Sequence, residues 1–168
     1  MMQNISFIFV LHRFIHPEGD HLTLLRAFAI YKQKNSSAEW CMENFLNSRA
    51  LKSTNDVRIQ LRKYLIKMNS TLPEDSFNPE IGKNKIESIK KAIITGFFSQ
   101  VAHLEPQGFY YTVKEHQIVS IHPSSCLSNV KPLWILYNDF VLTNKNYIRT
   151  CIKVNPKDLL EINGNFFI

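Results

Sequence analysis

Glycine is scarce. The five glycines among 168 residues (Gly19, Gly82, Gly96, Gly108 and Gly164) never cluster. A loop that wraps phosphates in backbone amides needs GxxxxGK[ST] or GxGxxG, and neither pattern occurs. The usual device for cradling a triphosphate is therefore missing. Cysteine is scarce too. Cys41, Cys126 and Cys151 lie far apart, with no CxxC and no Cys–His spacing, which argues against a disulfide framework and a zinc module. They are expected to be reduced, small apolar residues of an intracellular protein. The apolar run Ile5 to Leu11 is seven residues long, against the ~20 that span a bilayer. No basic stretch precedes it and no small-residue cleavage site follows, so it is read as a buried strand or helical turn and not as a signal peptide. No membrane partner is expected. Acids are the minority charge, 14 against 20 Lys plus Arg, for a net +6. That balance favours an anionic partner such as nucleic acid.

Catalytic and metal signatures are also absent. His12, His16 and His21 lie close together without an HExxH pattern, and are read as polar residues at a helix entrance. Asp20 is assigned the N-cap of that helix. Ser124 and Ser125 follow His122-Pro123 without a GxSxG elbow, and are read as a turn or helix cap.

The chain is 45% hydrophobic, enough to bury a core in one domain or two small ones. Its first half reads as helices. His21 to Lys34 sets Leu22, Leu25, Phe28 and Ala29 on one face. After a break at Asn35-Ser36-Ser37, Ser37 can cap a helix carrying Trp40, Cys41 and Phe45. A third helix places Val57, Leu61, Tyr64, Leu65 and Met68 on one stripe, with Ser53 and Asp56 resembling its capping box. Arg49, Lys52, Arg58, Arg62 and Lys67 make a basic stretch along it. Residues 69–84 read as a polar linker. A fourth helix, about Lys85 to His103, carries Ile86, Ile89, Ile93, Phe97 and Val101. The period then falls to two over Phe109 to Lys114, Ile118 to His122, Leu133 to Thr143 and Asn146 to Val154. Pro156 can open a closing helix. The expected fold is α+β: an N-terminal helical bundle, then a small antiparallel OB-type β-barrel with flanking helices.

Trp134 to Val154 is the most informative stretch. It reads as two strands joined by the turn Thr143-Asn144-Lys145-Asn146. Strict alternation sends Ile148, Ile152 and Val154 to one face, and Tyr147, Arg149, Cys151 and Lys153 to the other. A ring beside two cations, with Lys145 just before, is the mixture that sequence-tolerant single-strand binders use: rings stack on bases and cations meet phosphates.

Ordered short motifs carry a family resemblance. They are Gly19-Asp20-His21-Leu22-Thr23-Leu24-Leu25; Trp40-Cys41 with Asn44-Phe45 and Arg49-Ala50-Leu51; Val57-Arg58 with Gln60-Leu61; Lys91-Ala92 with Gly96-Phe97-Phe98; Ile121-His122-Pro123-Ser124; Trp134 with Tyr137; and Phe140-Val141-Leu142-Thr143 with Lys145-Asn146-Tyr147-Ile148-Arg149-Thr150. From about Arg13 onward the chain resembles the C-terminal region of DEAH-box ATP-dependent RNA helicases. Val101-Ala102-His103-Leu104-Glu105 and Thr112-Val113-Lys114 look most like the subfamily of spliceosome disassembly and ribosome biogenesis.

The resemblance implies a helical ratchet (HA2-like) domain over 13–78, a linker over 79–84 and an OB-fold domain over 85–168, with residues 1–12 unmatched. It implies a module that grips single-stranded RNA and docks a glycine-patch activator, with the ATPase lobes in cis or in trans, in the nucleus. The implied RNA-facing residues are Arg49 and Arg58 in the ratchet, and Lys145, Tyr147 and Arg149 in the barrel. No cofactor is expected in this chain, because ATP and Mg belong to the lobes. The expectation is thus an inactive segment on its own: part of a helicase, or alternatively a stand-alone RNA-binding or protein-docking OB module. Two departures stand out. Pro156-Lys157-Asp158-Leu159 replaces the family's Pro-x-Trp-Leu, and the winged helix and lobes are missing, as a truncated, split or mis-started gene would leave them.

Overall fold

A computed structural model describes residues 13–68 and 80–167. The Ile5–Leu11 run, His12 and most of the 69–84 linker lie outside them. The elements are α1 (Asp20–Gln33), α2 (Ala38–Glu43), α3 (Ser48–Lys67), α4 (Lys83–Phe97), β1 (Val101–Leu104), β2 (Tyr110–Thr112), β3 (Ile118–Ile121), β4 (Trp134–Leu142), β5 (Asn146–Lys153) and α5 (Pro156–Phe167). They fall into two compact units. One runs Leu25–Glu80; the other joins the described residues up to Leu24 with those from Ile81 onward.

In the helical unit, Phe28, Tyr31 and Cys41 are buried together, with Trp40, Leu46 and Leu51 packed against them. Asn35 and Ser36 take positive φ of 53° and 57°, which ends α1 by turning the chain left-handed. Ser37 caps α2 as expected, its hydroxyl accepting from the Trp40 amide at 3.1 Å. Two expectations are corrected. Phe45 does not join the α2 stripe: it lies past the helix end at φ 52° and is 71% exposed. The third helix does not start at a Ser53–Asp56 box. It starts at Ser48, where the Asn47 side chain accepts from the Ala50 amide at 3.0 Å, and a good N-cap earlier in the chain takes precedence over a weaker one inside a helical run. The stripe of Val57, Leu61, Tyr64, Leu65 and Met68 is 42–75% exposed.

The second unit is a closed barrel in the order β1-β2-β3-β5-β4. Four neighbour pairs are antiparallel, as expected. The fifth, β3–β5, is parallel, so the sheet is mixed. The reason lies in the connections: β4 returns along β5 through a hairpin, and β5 then lands beside β3 and runs the same way. Inside the barrel lie Ala102, Tyr110, Val119, Ile121, Leu127, Ile135, Tyr137, Ile148 and Cys151. A second layer, Leu22, Ile94, Val101, Leu136, Ile152, Val154 and Leu159, joins the barrel's outside to α1, α4 and α5. Each such Leu or Ile contributes about 1.5–3 kcal/mol by leaving water.

Two sequence expectations fail here, each for its own reason. The fourth helix ends at Phe97, and Val101–Leu104 is β1, not the helix's last turn. Val101 faces the helices and Ala102 faces the barrel interior, so a strand covered on both sides shows no alternation. Likewise Cys151 does not share a face with Tyr147 and Arg149. Thr150 takes a positive φ of 54°, and the facing pair Asn138–Thr150 is missing from the ladder. Alternation restarts in the opposite sense. Cys151 joins Ile148 inside, and Ile152 turns to the helices.

Asp20 is not an N-cap. It is the first residue of α1, and its carboxylate accepts from the backbone amides of Cys126 and Cys151, both at 2.8 Å. Beside it Gly19 forms a bridge with Ile152 at φ 136°. The start of α1 is thereby stitched to β5 and to the β3–β4 connection.

Candidate nucleic-acid interface

The outer surface of β5 carries two of the expected side chains. Tyr147 is half-buried and Arg149 exposed; they alternate with buried Ile148, so both leave the barrel. Lys145 stands exposed in the β4–β5 turn. That turn is closed by the Lys145 carbonyl, which accepts from the Thr143 amide at 3.2 Å and from its hydroxyl at 2.9 Å. The structure thus brings Lys145, Tyr147 and Arg149 onto one stretch of surface.

Tyr147 does not stand alone. Its ring meets His122 edge to face, with centroids 5.4 Å apart at 79°. His122 is set by the β3 terminus: its amide donates to the Ile148 carbonyl at 2.9 Å. The Ser124 amide donates to His122 Nδ1 at 3.1 Å, and the Ser124 hydroxyl lies 2.7 Å from the same nitrogen. Nδ1 therefore acts as acceptor, and Nε2 carries the proton of the neutral ring. Ser124 is a turn residue, as expected. Burial lowers the His122 pKa, and the Arg149 guanidinium lowers it further. The cationic face is tempered at one point, since Asp139 is Arg149's direct cross-strand partner and accepts from the Thr150 hydroxyl at 3.4 Å.

The outward rings continue around the barrel. Tyr111 registers with Ile118 on β3 and with His103 on β1, and His103 registers with Trp134 on β4. Ring centroids are 5.5 Å apart for Phe109–Tyr111, 6.4 Å for His103–Tyr111 and 5.3 Å for His103–Trp134. Glu105 reaches His103 Nδ1 at 3.0 Å. Sequence reasoning did not select Phe109, Tyr111 or His103. The available signal was the run Phe109-Tyr110-Tyr111, in which the strand pleat sends Tyr110 inward and its neighbours out.

Arg49 and Arg58 both lie on α3, in the helical unit. Nine positions are about two and a half helical turns, so they leave opposite sides of the helix. Arg49 is exposed in the first turn, and Arg58 is half-buried with partners of its own. The helix does not bring this pair together. His16 and His21 serve structure: His16 Nδ1 accepts from the Glu18 amide at 3.2 Å, and His21 Nε2 lies 3.0 Å from Asn138 Oδ1. Among the described residues no helix is long and apolar enough to cross a membrane.

Five strands in this order, with the β1–β2 and β4–β5 loops flanking the β2–β3 face, make the OB arrangement used for oligonucleotides and oligosaccharides. Residues 89–166 match the family model for the oligonucleotide/oligosaccharide-binding (OB)-fold. The match begins in α4, takes in all five strands and ends in α5. The chain therefore carries an OB-fold domain, whose family supports nucleic-acid binding.

Proposed function

We propose that this chain is the RNA-gripping and cofactor-docking part of a DEAH-box ATP-dependent RNA helicase acting in pre-mRNA splicing or ribosome biogenesis, its barrel holding single-stranded RNA while ATPase lobes, in cis or in trans, do the stepping. The observation that carries the RNA-binding part is the paired ring surface of Tyr147 and His122 between Lys145 and Arg149. A ring offers a stacking face to any base, and the cations meet phosphates without reading sequence. Support for the helicase part comes from the ordered motifs from Gly19 to Thr150. Docking of a glycine-patch protein, nuclear residence, and participation of Arg49 and Arg58 belong to the same reading. The chain lacks a glycine-rich phosphate loop, so ATP and Mg are assigned to the lobes.

Titrating the full chain with single-stranded RNA at several salt concentrations tests the proposal. Affinity should fall steeply and log-linearly with salt, because cations on phosphates release counterions. Salt-independent affinity, or none, would remove the RNA reading. RNA-stimulated ATP hydrolysis by the pure chain would remove the division of labour.

A further inference from the structure

Next to Tyr147 the barrel surface holds a notch of about 120 Å³, lined by Gly108 and Phe109 of the β1–β2 turn, Tyr110, Ser120 and Ile121 of β2 and β3, and Ser128 and Lys131 of the β3–β4 connection. Ser120 is the direct cross-strand partner of Tyr147, so the two side chains leave the same face as neighbours. The notch is well below the roughly 300 Å³ of a pocket that encloses a drug-sized ligand. It suits a phosphate group, not a whole nucleotide.

Its chemistry is that of an anion seat. Lys131 is exposed, and its ammonium forms no ion pair among the described residues. The ammonium lies over Gly108, 4.0 Å from where a Cβ there would stand. Ser120 and Ser128, two hydroxyl-bearing residues, also line the notch. Glu105, the acid of the β1–β2 turn, is engaged by His103 at 3.0 Å.

The seat is also held in shape. The Tyr110 hydroxyl donates to the Pro132 carbonyl at 2.7 Å, and the Lys131 amide donates to Leu127 at 3.3 Å. Lys131 itself takes a positive φ of 47°, a conformation rare outside glycine and asparagine. Such backbone persists where its surroundings fix it, often where a ligand is clamped.

We propose that this notch seats a backbone phosphate of the single strand whose base stacks on Tyr147, with Lys131 as the charge and Ser120 and Ser128 as hydrogen-bond donors. The strand then runs from the β4–β5 turn across β5 and β3 toward the β1–β2 turn. This rests on the single-strand reading of the Tyr147 face.

The test compares the full wild-type chain with Lys131→Gln and Tyr147→Ala, binding labelled uridine and adenosine dodecamers across a salt series. Each variant is first checked for an unchanged thermal midpoint. Lys131→Gln should weaken both oligomers to the same extent and reduce the log–log salt slope by about 0.7, the share of one phosphate contact on a single strand. Tyr147→Ala should weaken binding with the slope kept. If wild type binds and Lys131→Gln shows an unchanged slope, the seat is wrong while the face stands. If wild type binds neither oligomer, face and seat fall together. Inorganic phosphate is the second arm, followed by amide shifts of Ser120, Ser128 and Lys131. Saturation by millimolar phosphate without oligomer competition would mark a free-anion site and overturn the strand assignment.

Discussion

The His122 ring stands edge-on to the Tyr147 ring, 5.4 Å between centroids, and it is held there by a turn whose first hydrogen bonds end on its own Nδ1. Burial and then Arg149 hold its pKa below the ordinary 6.5. Between the lowered value and 6.5 the unfolded chain binds more protons than the folded one. The contribution of His122 to stability is therefore complete above about pH 6.5 and is lost as pH falls through the folded value. Arg149→Gln removes one of the two causes. Its His122 ring protons, followed by NMR, should titrate at higher pH than in wild type and still below 6.5; an unmoved curve would contradict the coupling.

Tyr147→Ala should cost roughly 1–3 kcal/mol in single-strand affinity, with little dependence on base sequence, because stacking uses the face every base has. Asp139 opposes Arg149 across the ladder, so Asp139→Asn should strengthen binding at low salt. Fluorescence anisotropy checks both. Full affinity in Tyr147→Ala would mean that the ring merely packs on His122.

Gly19 and Gly96 should respond in opposite directions to alanine. A Cβ at Gly19 would stand 2.4 Å from the Cys151 carbonyl oxygen and 2.7 Å from Ile152 Cα, at φ 136°. Backbone on both sides leaves no flexible group to yield, so Gly19→Ala should destabilise by about 1–3 kcal/mol, as overpacking does. At Gly96, inside α4, nothing lies within 4 Å. Gly96→Ala should stabilise by up to about 1 kcal/mol through helix propensity. Urea midpoints decide the signs.

The thiols should be slow to react. Burial and then Asp20 push Cys126 up to about 12, the same two causes raise Cys151 strongly, and burial raises Cys41. Only a thiolate attacks. At pH 8 native protein should take up a thiol reagent slowly, and denatured protein should take up three equivalents. Fast labelling of native Cys41 or Cys151 would refute their buried state.

Features that act locally were legible in the sequence. Ser37 as a cap needs only its own hydroxyl and the Trp40 amide. Tyr147 and Arg149 follow from alternation around Ile148. Long-range features were not legible. Asp20 looks like a cap because its two amide partners lie more than a hundred residues away. β1 looks helical because both its faces are covered. The switch of face at Cys151 depends on a left-handed Thr150, which a β-branched residue seldom adopts, and alternation alone puts Cys151 outside. Lys131 carried no pattern at all; only the fold sets it beside Gly108 and Ser120.

Single-stranded RNA should lie on the outer face of β2, β3 and β5. Amide-shift mapping of the isotope-labelled full chain, titrated with a short single-stranded RNA, addresses it directly. The largest shifts should fall at Ser120, His122, Lys145, Tyr147 and Arg149. Shifts confined to α4 and α5, or absent at saturating RNA, would contradict it.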